Sequence, residues 1–169
     1  MIHVCSLSKV EETVARTGAE RLLSLLAAGT EMTRPASIAR ENHLHLVMHD
    51  IAVAQEGMTM PGEAHVRTLL DFARQWDRAR PLVVHCYAGI SRSTASAYII
   101  AAALAPKRCE AELAETLRAL SPTATPNPRL IAVADALLDR NGRMTGAIQA
   151  IGRGADAFEG TPFELKIDG

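Results

Sequence analysis

The segment from Leu82 to Ala105 constrains the fold more than any other part of the chain. An apolar run leads into His85 and Cys86, a turn contains Gly89, and an alanine-rich helical pattern begins at Arg92. The apolar run before a glycine turn predicts a buried strand followed by a tight turn and a helix. Backbone N–H groups converge in such a turn, and the helix N-terminus adds the positive end of its dipole. The segment therefore predicts a site for an anion.

Three side chains of this segment, Cys86, Arg92 and Ser93, give the predicted anion site its chemistry. The anion would lie against the sulfur of Cys86, where Arg92 can clamp two of its oxygens in a bidentate fork. A helix N-terminus and a nearby cation favour the thiolate form of a cysteine, which is a nucleophile. Ser93 can hydrogen-bond the same sulfur. His85 should point to the opposite face of the strand, so we interpret it as an orienting residue rather than a general base.

The run His85 to Ser93 follows the pattern His-Cys-x-x-Gly-x-x-Arg-Ser. It resembles the active-site loop of cysteine-dependent protein tyrosine phosphatases, in particular the compact, dual-specificity-like branch and its bacterial members. This resemblance implies hydrolysis of a phosphorylated protein or small phosphomonoester through a cysteinyl-phosphate intermediate, without a metal or cofactor. It also implies that the phosphate-binding residues are Tyr87, Ala88, Gly89, Ile90, Ser91 and Arg92. The alternative is a buried cysteine at a strand end with an arginine nearby by chance.

The resemblance also implies a general acid, an aspartate on the loop after an earlier strand. Asp50 fits, because it follows the predicted strand over residues 44–48. If that strand is parallel to the one before Cys86, both carboxyl ends lie at the same sheet edge. The alternative is an ordinary turn aspartate. Glu56, Glu63 and His49 are the other candidate acids.

Asn127 is the last residue that the resemblance selects. It stands in Pro126-Asn127-Pro128, before the last predicted helix. In the compact phosphatases, an asparagine after a proline braces the phosphate-binding loop. An ordinary helix N-cap, with a proline at the first helical position, explains the same residue, and both roles can coexist.

The rest of the chain alternates between strand and helix patterns, which predicts an α/β fold with a single domain. We expect a central, mostly parallel sheet flanked by helices, similar to phosphotyrosine protein phosphatases. Ser8 and Glu11 have the spacing of a capping box at the start of the first helix. Residues 1–140 should form the catalytic domain. The glycine-rich residues 141–169 should form an irregular tail that packs on this domain or is partly mobile. The predicted strands cover residues 2–5, 22–26, 44–48 and 82–85, and the predicted helices cover 8–17, 61–78, 92–104, 108–120 and 128–139.

Composition limits the other possibilities. The formal net charge of -1 argues against a nucleic-acid or membrane partner. No apolar run is long enough to span a bilayer, and the first residues lack the pattern of a secretory signal. Three widely spaced cysteines suggest a reducing compartment, so we expect a cytoplasmic protein. Cys5 is either a small buried hydrophobe or a partner for a reversible disulfide with Cys86. The sequence leaves the oligomeric state open.

Three alternative functions remain on the same loop. A phosphoinositide phosphatase should carry more positive charge than the variable positions Tyr87, Ala88, Ile90 and Ser91 provide. An arsenate reductase needs further thiols to resolve its intermediate. A non-catalytic phosphate-binding module would not need the nucleophile.

Overall fold

The computed structural model describes residues 1–168, in which strands and helices alternate along the chain. The elements are β1 (Ile2–Ser6), α1 (Val10–Thr17), β2 (Arg21–Leu26), β3 (His43–Val47), α2 (Glu63–Arg74), β4 (Leu82–Cys86), α3 (Arg92–Leu104), α4 (Glu110–Leu120), α5 (Pro128–Leu137), α6 (Arg143–Ile151) and β5 (Phe163–Leu165). The predicted fold class, a single α/β domain, is confirmed.

The five strands form one sheet in the order β3-β2-β4-β1-β5. The first four strands in this order are parallel, and β5 runs antiparallel to β1. Parallel strands end at a common edge, so the segments after β1, β3 and β4 meet there. Ligands bind at this edge in open α/β sheets.

The two faces of the sheet carry separate hydrophobic cores. On β4, Leu82, Val84 and Cys86 face the larger core, to which α2 through α6 contribute. Val83 faces the smaller core beneath α1. Helix α3 is buried from Arg92 to Ala102, because it lies between the sheet and the outer helices. The alternation along β4 therefore places Cys86 on the helical side of the sheet.

The start of α1 differs from the prediction. A 3₁₀ turn covers Leu7–Lys9, and the N-cap Lys9 makes no side-chain capping bond. The hydroxyl of Ser8 instead donates to the Glu159 carboxylate. The predicted capping box was wrong because a tertiary partner takes the hydroxyl that the local pattern assigned to the helix.

The C-terminal segment is more ordered than its glycine content suggested. It contains α6, whose Met144, Ala147 and Ile148 are buried at helical spacing, and β5, whose Leu165 is fully buried. The predicted irregular tail was therefore wrong for these residues. The division of the chain at residue 140 stays a prediction. None of the helices within residues 1–168 has the length and apolar character of a membrane-spanning segment.

Candidate active site

The loop between β4 and α3 (residues 86–92, the β4–α3 loop) is fixed by hydrogen bonds from neighbouring segments to its backbone carbonyls. Four carbonyls accept backbone N–H bonds from surrounding segments: Tyr87 from Leu7 at 3.1 Å, Ala88 from Gly160 at 2.8 Å, Ile90 from Thr125 at 3.0 Å and Ser91 from Asn127 at 3.3 Å. In a trans peptide, the C=O of one residue and the N–H of the next point in opposite directions. Because these carbonyls point away from the centre of the loop, the N–H groups that follow them point towards it. Within residues 1–168, the N–H groups of residues 88–92 donate to no protein acceptor. This is the donor arrangement that an oxyanion needs.

Gly89 is the tightest point of this loop. Its φ is +73°, and a Cβ at this position would lie 2.8 Å from the carbonyl carbon of Cys5 and from the nitrogen of Ser6. A side chain would thus combine an unfavourable backbone conformation with a clash against the backbone of β1. The loop can pass the end of β1 only with glycine here.

Arg92 lies at the start of α3 with 7% of its surface exposed. Its Nη1 donates to the carbonyl of Met48 at 2.8 Å, so the segment after β3 fixes the guanidinium. Its Nε is buried and has no hydrogen-bond partner within residues 1–168. A buried cationic donor without an acceptor is costly. An oxyanion bound to the guanidinium would supply the missing acceptor.

Cys86 and Ser93 lie side by side at the base of this loop. The Cys86 Sγ is 3.1 Å from the Ser93 Oγ, and both residues are buried. Ser93 can donate its hydroxyl proton to a thiolate, which stabilises the sulfur as a nucleophile and as a leaving group. The structure thus brings the Ser93 hydroxyl to the sulfur of Cys86, as the sequence predicts, and Arg92 directly precedes Ser93 at the start of α3.

His85 lies on the other face of β4, as predicted, and takes part in a hydrogen-bonded chain. Its Nδ1 lies 3.3 Å from the Cys86 carbonyl and its Nε2 lies 2.6 Å from the Ser24 Oγ. The carbonyl can only accept, so Nδ1 donates and Nε2 accepts the Ser24 hydroxyl proton. Ser24 in turn lies 2.8 Å from His43 Nε2, which donates to it.

Burial lowers the pKa of His85 to about 4, so this ring is neutral at physiological pH. A neutral ring that already makes two hydrogen bonds supports an orienting role for His85 and not that of a general base.

Burial also raises the pKa of the Cys5 thiol to about 12. Cys5 therefore stays protonated, which favours its interpretation as a small buried hydrophobe.

Asp50 lies against the β4–α3 loop. Its Oδ1 accepts the Ser91 hydroxyl at 2.7 Å and the Asn127 amide at 2.8 Å. No donor within residues 1–168 contacts Oδ2, so this oxygen is available to a bound ligand. The parallel arrangement of β3 and β4 thus brings Asp50 to the loop that contains Cys86.

Asn127 makes contacts that fit both interpretations, the helix N-cap and the brace of the β4–α3 loop. Its Oδ1 caps α5 by accepting from the N–H groups of Arg129 and Leu130 at 3.0 and 3.1 Å. Its Nδ2 donates to Asp50, and its backbone N–H donates to the Ser91 carbonyl. One residue therefore ties α5 to both the candidate acid and the β4–α3 loop.

The other candidate acids make contacts elsewhere. Glu63 pairs with Arg67 at 2.7 Å on the surface of α2. The His49 Nδ1 accepts the Thr59 N–H at 2.9 Å within its own loop. Glu56 is exposed. Of the four candidates, Asp50 is the one with a hydrogen bond to the β4–α3 loop.

Sequence reasoning missed several residues at this site. Ser24 had a usable signal, since it is a lone polar residue inside the apolar run Leu22 to Leu26. Glu159 had no such signal in the sequence, because its bonds to Ser6 and Ser8 join residues more than 150 positions apart. Phe158 beside it is fully exposed, and both residues border the loop.

Comparisons with known proteins give matches among solved structures. No protein-family model matches the sequence, and no curated protein matches it. The Cydia pomonella PTP-2 phosphatase shares 14% identity, with a TM-score of 0.62, over 80% of this chain and 84% of that chain. Human DUSP28 shares 18%, with a TM-score of 0.59, over 89% and 95%. PTPMT1 in complex with PI(5)P shares 14%, with a TM-score of 0.64, over 89% and 94%. The chain thus has the fold of the tyrosine and dual-specificity phosphatases.

Proposed function

We propose that this protein is a cysteine-dependent phosphomonoester hydrolase of the protein tyrosine and dual-specificity phosphatase type. The observation that carries the proposal is the buried Nε of Arg92, which has no protein acceptor within residues 1–168. It belongs to the same loop as the unpaired amides of residues 88–92 and the sulfur of Cys86. A phosphate dianion would satisfy all of these donors while presenting its phosphorus to the nucleophile. The fold shared with known phosphatases supports this assignment.

In the first step, the Cys86 thiolate attacks phosphorus as the bond from phosphorus to the ester oxygen breaks. The ester oxygen takes a proton from Asp50, and a cysteinyl phosphate forms. Arg92 and the loop amides hold the other three phosphate oxygens throughout. Positioning of this kind lowers the barrier because the donors need no reorganisation as the charge redistributes.

In the second step, water attacks phosphorus and transfers a proton to the Asp50 carboxylate. The phosphorus–sulfur bond breaks, and the Ser93 hydroxyl stabilises the departing thiolate at the 3.1 Å separation of the two side chains. Inorganic phosphate then leaves, and Asp50 is protonated again for the next cycle. The same carboxyl group therefore serves as acid and then as base.

Two observations favour a phosphoprotein over the alternative substrates. A multiply phosphorylated headgroup would meet a carboxylate, Glu159, beside the loop and no lysine within it. Arsenate reduction requires resolving thiols, but Cys5 is buried and protonated, and Cys109 lies at the N-terminus of α4. We therefore place phosphorylated proteins first among the substrates.

The test is hydrolysis of a chromogenic aryl phosphate by wild-type protein, Cys86→Ser and Cys109→Ser. Cys86→Ser should lose turnover and still bind phosphate analogues, because the amides and Arg92 are intact. Cys109→Ser, a matched change at an exposed cysteine, should retain turnover. Hydrolysis by Cys86→Ser well above background would rule out the covalent mechanism. An inactive wild-type protein that binds phosphate would indicate a binding module.

A further inference from the structure

A cavity adjoins the β4–α3 loop on the side of β1. Its volume is about 350 Å³, and its lining residues are Leu7, Ser8, Tyr87, Ala88, Phe158 and Glu159. Two of these residues, Tyr87 and Ala88, belong to the loop itself. The cavity contains neither Cys86 nor Arg92, so it is a neighbour of the proposed phosphate site and not a part of it.

The walls of this cavity are bonded to the loop. Leu7 donates to the carbonyl of Tyr87, and Gly160, the residue after Glu159, donates to that of Ala88. A Cβ on Gly160 would lie 2.8 Å from the Gly89 carbonyl oxygen, which shows how closely the two segments pack. The cavity therefore keeps a fixed position relative to the proposed phosphate site.

Glu159 gives the cavity its charge. Its Oε1 accepts the hydroxyls of Ser6 and Ser8, while Oε2 receives no hydrogen bond from residues 1–168. These two bonds lower the pKa of Glu159 below its ordinary value. Among the residues that the structure describes, no lysine or arginine lines the cavity, and the nearby Lys9 pairs with Glu12 at 3.2 Å. One oriented carboxylate oxygen thus remains available to an external donor.

Apart from Ser8, the other lining residues are apolar or aromatic, and the two aromatic side chains are exposed. Phe158 is fully exposed and Tyr87 is 66% exposed. An arginine side chain matches this combination, because its aliphatic stem packs on apolar surface and its guanidinium stacks on aromatic faces. The same guanidinium can bond the free Glu159 oxygen.

We propose that this cavity is a specificity subsite that binds an arginine side chain next to the phosphorylated residue of a phosphoprotein. The inference rests on the proposed function and names its substrate class. Neighbouring residues of a peptide are 3.8 Å apart between Cα atoms, so a side chain near the phosphorylated residue can reach a cavity that shares the loop. An acidic side chain or a polyphosphorylated headgroup would be repelled by Glu159.

The test uses phosphotyrosine peptides that differ only by Arg, Gln or Glu at each position flanking the phosphotyrosine. At one or two positions, Arg should raise kcat/KM over Glu by about 5- to 20-fold, the range for an exposed ion pair combined with a cation–π contact. Glu159→Gln keeps the shape but removes the charge, so this ratio should fall close to one. Asp156→Asn, a matched change on the same segment outside this cavity, should leave the ratio as in wild type.

Binding measurements separate the subsite from the catalytic proposal. The Kd values of the same peptides for Cys86→Ser should show the same preference for arginine. If wild-type protein hydrolyses no aryl phosphate but this preference appears in Kd, the subsite stands and the enzymatic assignment falls. Equal Kd values for the Arg and Glu peptides, or a preference that survives Glu159→Gln, would overturn the subsite. Tighter binding of phosphoinositide vesicles than of the Arg peptide would also overturn it.

Discussion

Replacing Gly89 with alanine should damage both stability and catalysis, and the structure supplies a matched control. Gly89 has φ +73° and would place a Cβ 2.8 Å from backbone atoms of Cys5 and Ser6. Gly18 at the end of α1 has φ +64°, and no atom of residues 1–168 lies within 4 Å of the corresponding Cβ. Both alanine substitutions force a left-handed backbone conformation on a residue with a side chain. Only the substitution at Gly89 also creates a steric clash.

The expected free energies follow from this difference. Gly18→Ala should lose about 1–2 kcal/mol from the left-handed conformation alone. Gly89→Ala should lose about 1–3 kcal/mol more, because neither the strand backbone nor the loop can move without breaking hydrogen bonds. A shift of the loop amides by about 1 Å should also lower kcat/KM by roughly 100-fold.

Urea unfolding and aryl phosphate hydrolysis measure the two effects. Gly18→Ala should keep the kcat/KM of wild-type protein despite its lower unfolding midpoint. A Gly89→Ala protein as stable as Gly18→Ala, or one with a kcat/KM within a few fold of wild type, would refute the clash at Gly89 as the cause.

Three other changes test separate parts of the site. Arg92→Lys keeps the charge but removes the bidentate fork, so both KM and kcat for an aryl phosphate should worsen; efficiency equal to wild type would place the clamp elsewhere. Asp50→Asn should cost about 10²–10⁴-fold for a poor leaving group and much less for an acidic phenol, while Asp156→Asn should cost little with either; equal losses for good and poor leaving groups would argue against Asp50. Because burial lowers the pKa of His85 from 6.5 to about 4, the unfolded state takes up a proton first as the pH falls. The free energy of unfolding should therefore decrease by up to about 3 kcal/mol as the pH falls from 6.5 to 4. The urea midpoint of His85→Asn should decrease less than that of wild-type protein over the same range.

The β4–turn–α3 unit could be predicted from the sequence because its signals are local. An apolar run, a glycine and an alanine-rich helix follow one another between Leu82 and Leu104. The position of Asp50 beside the β4–α3 loop could also be predicted from the strand pattern, because parallel strands end at the same edge of a sheet.

Contacts between distant parts of the chain could not be predicted in this way. Ser8 had a local capping pattern, yet its hydroxyl bonds to Glu159, and no local rule selects between these partners. Strand β5 has only three residues, Phe163–Leu165, and becomes a strand through its pairing with β1. Tertiary pairing of this kind overrides the weak propensity of a short segment.

The most direct test of the central claim is to look for phosphate on Cys86 during turnover. Wild-type protein and Asp50→Asn are mixed with a phosphate ester of an acidic phenol, quenched rapidly and mapped by mass spectrometry. Asp50→Asn should accumulate more of the intermediate, because an acidic phenol leaves without a proton but hydrolysis of the cysteinyl phosphate still needs the base. Phosphate should appear on the peptide that contains Cys86, and none should appear on that peptide in Cys86→Ser. Steady turnover of wild-type protein without any phosphate on Cys86 in either protein would contradict it.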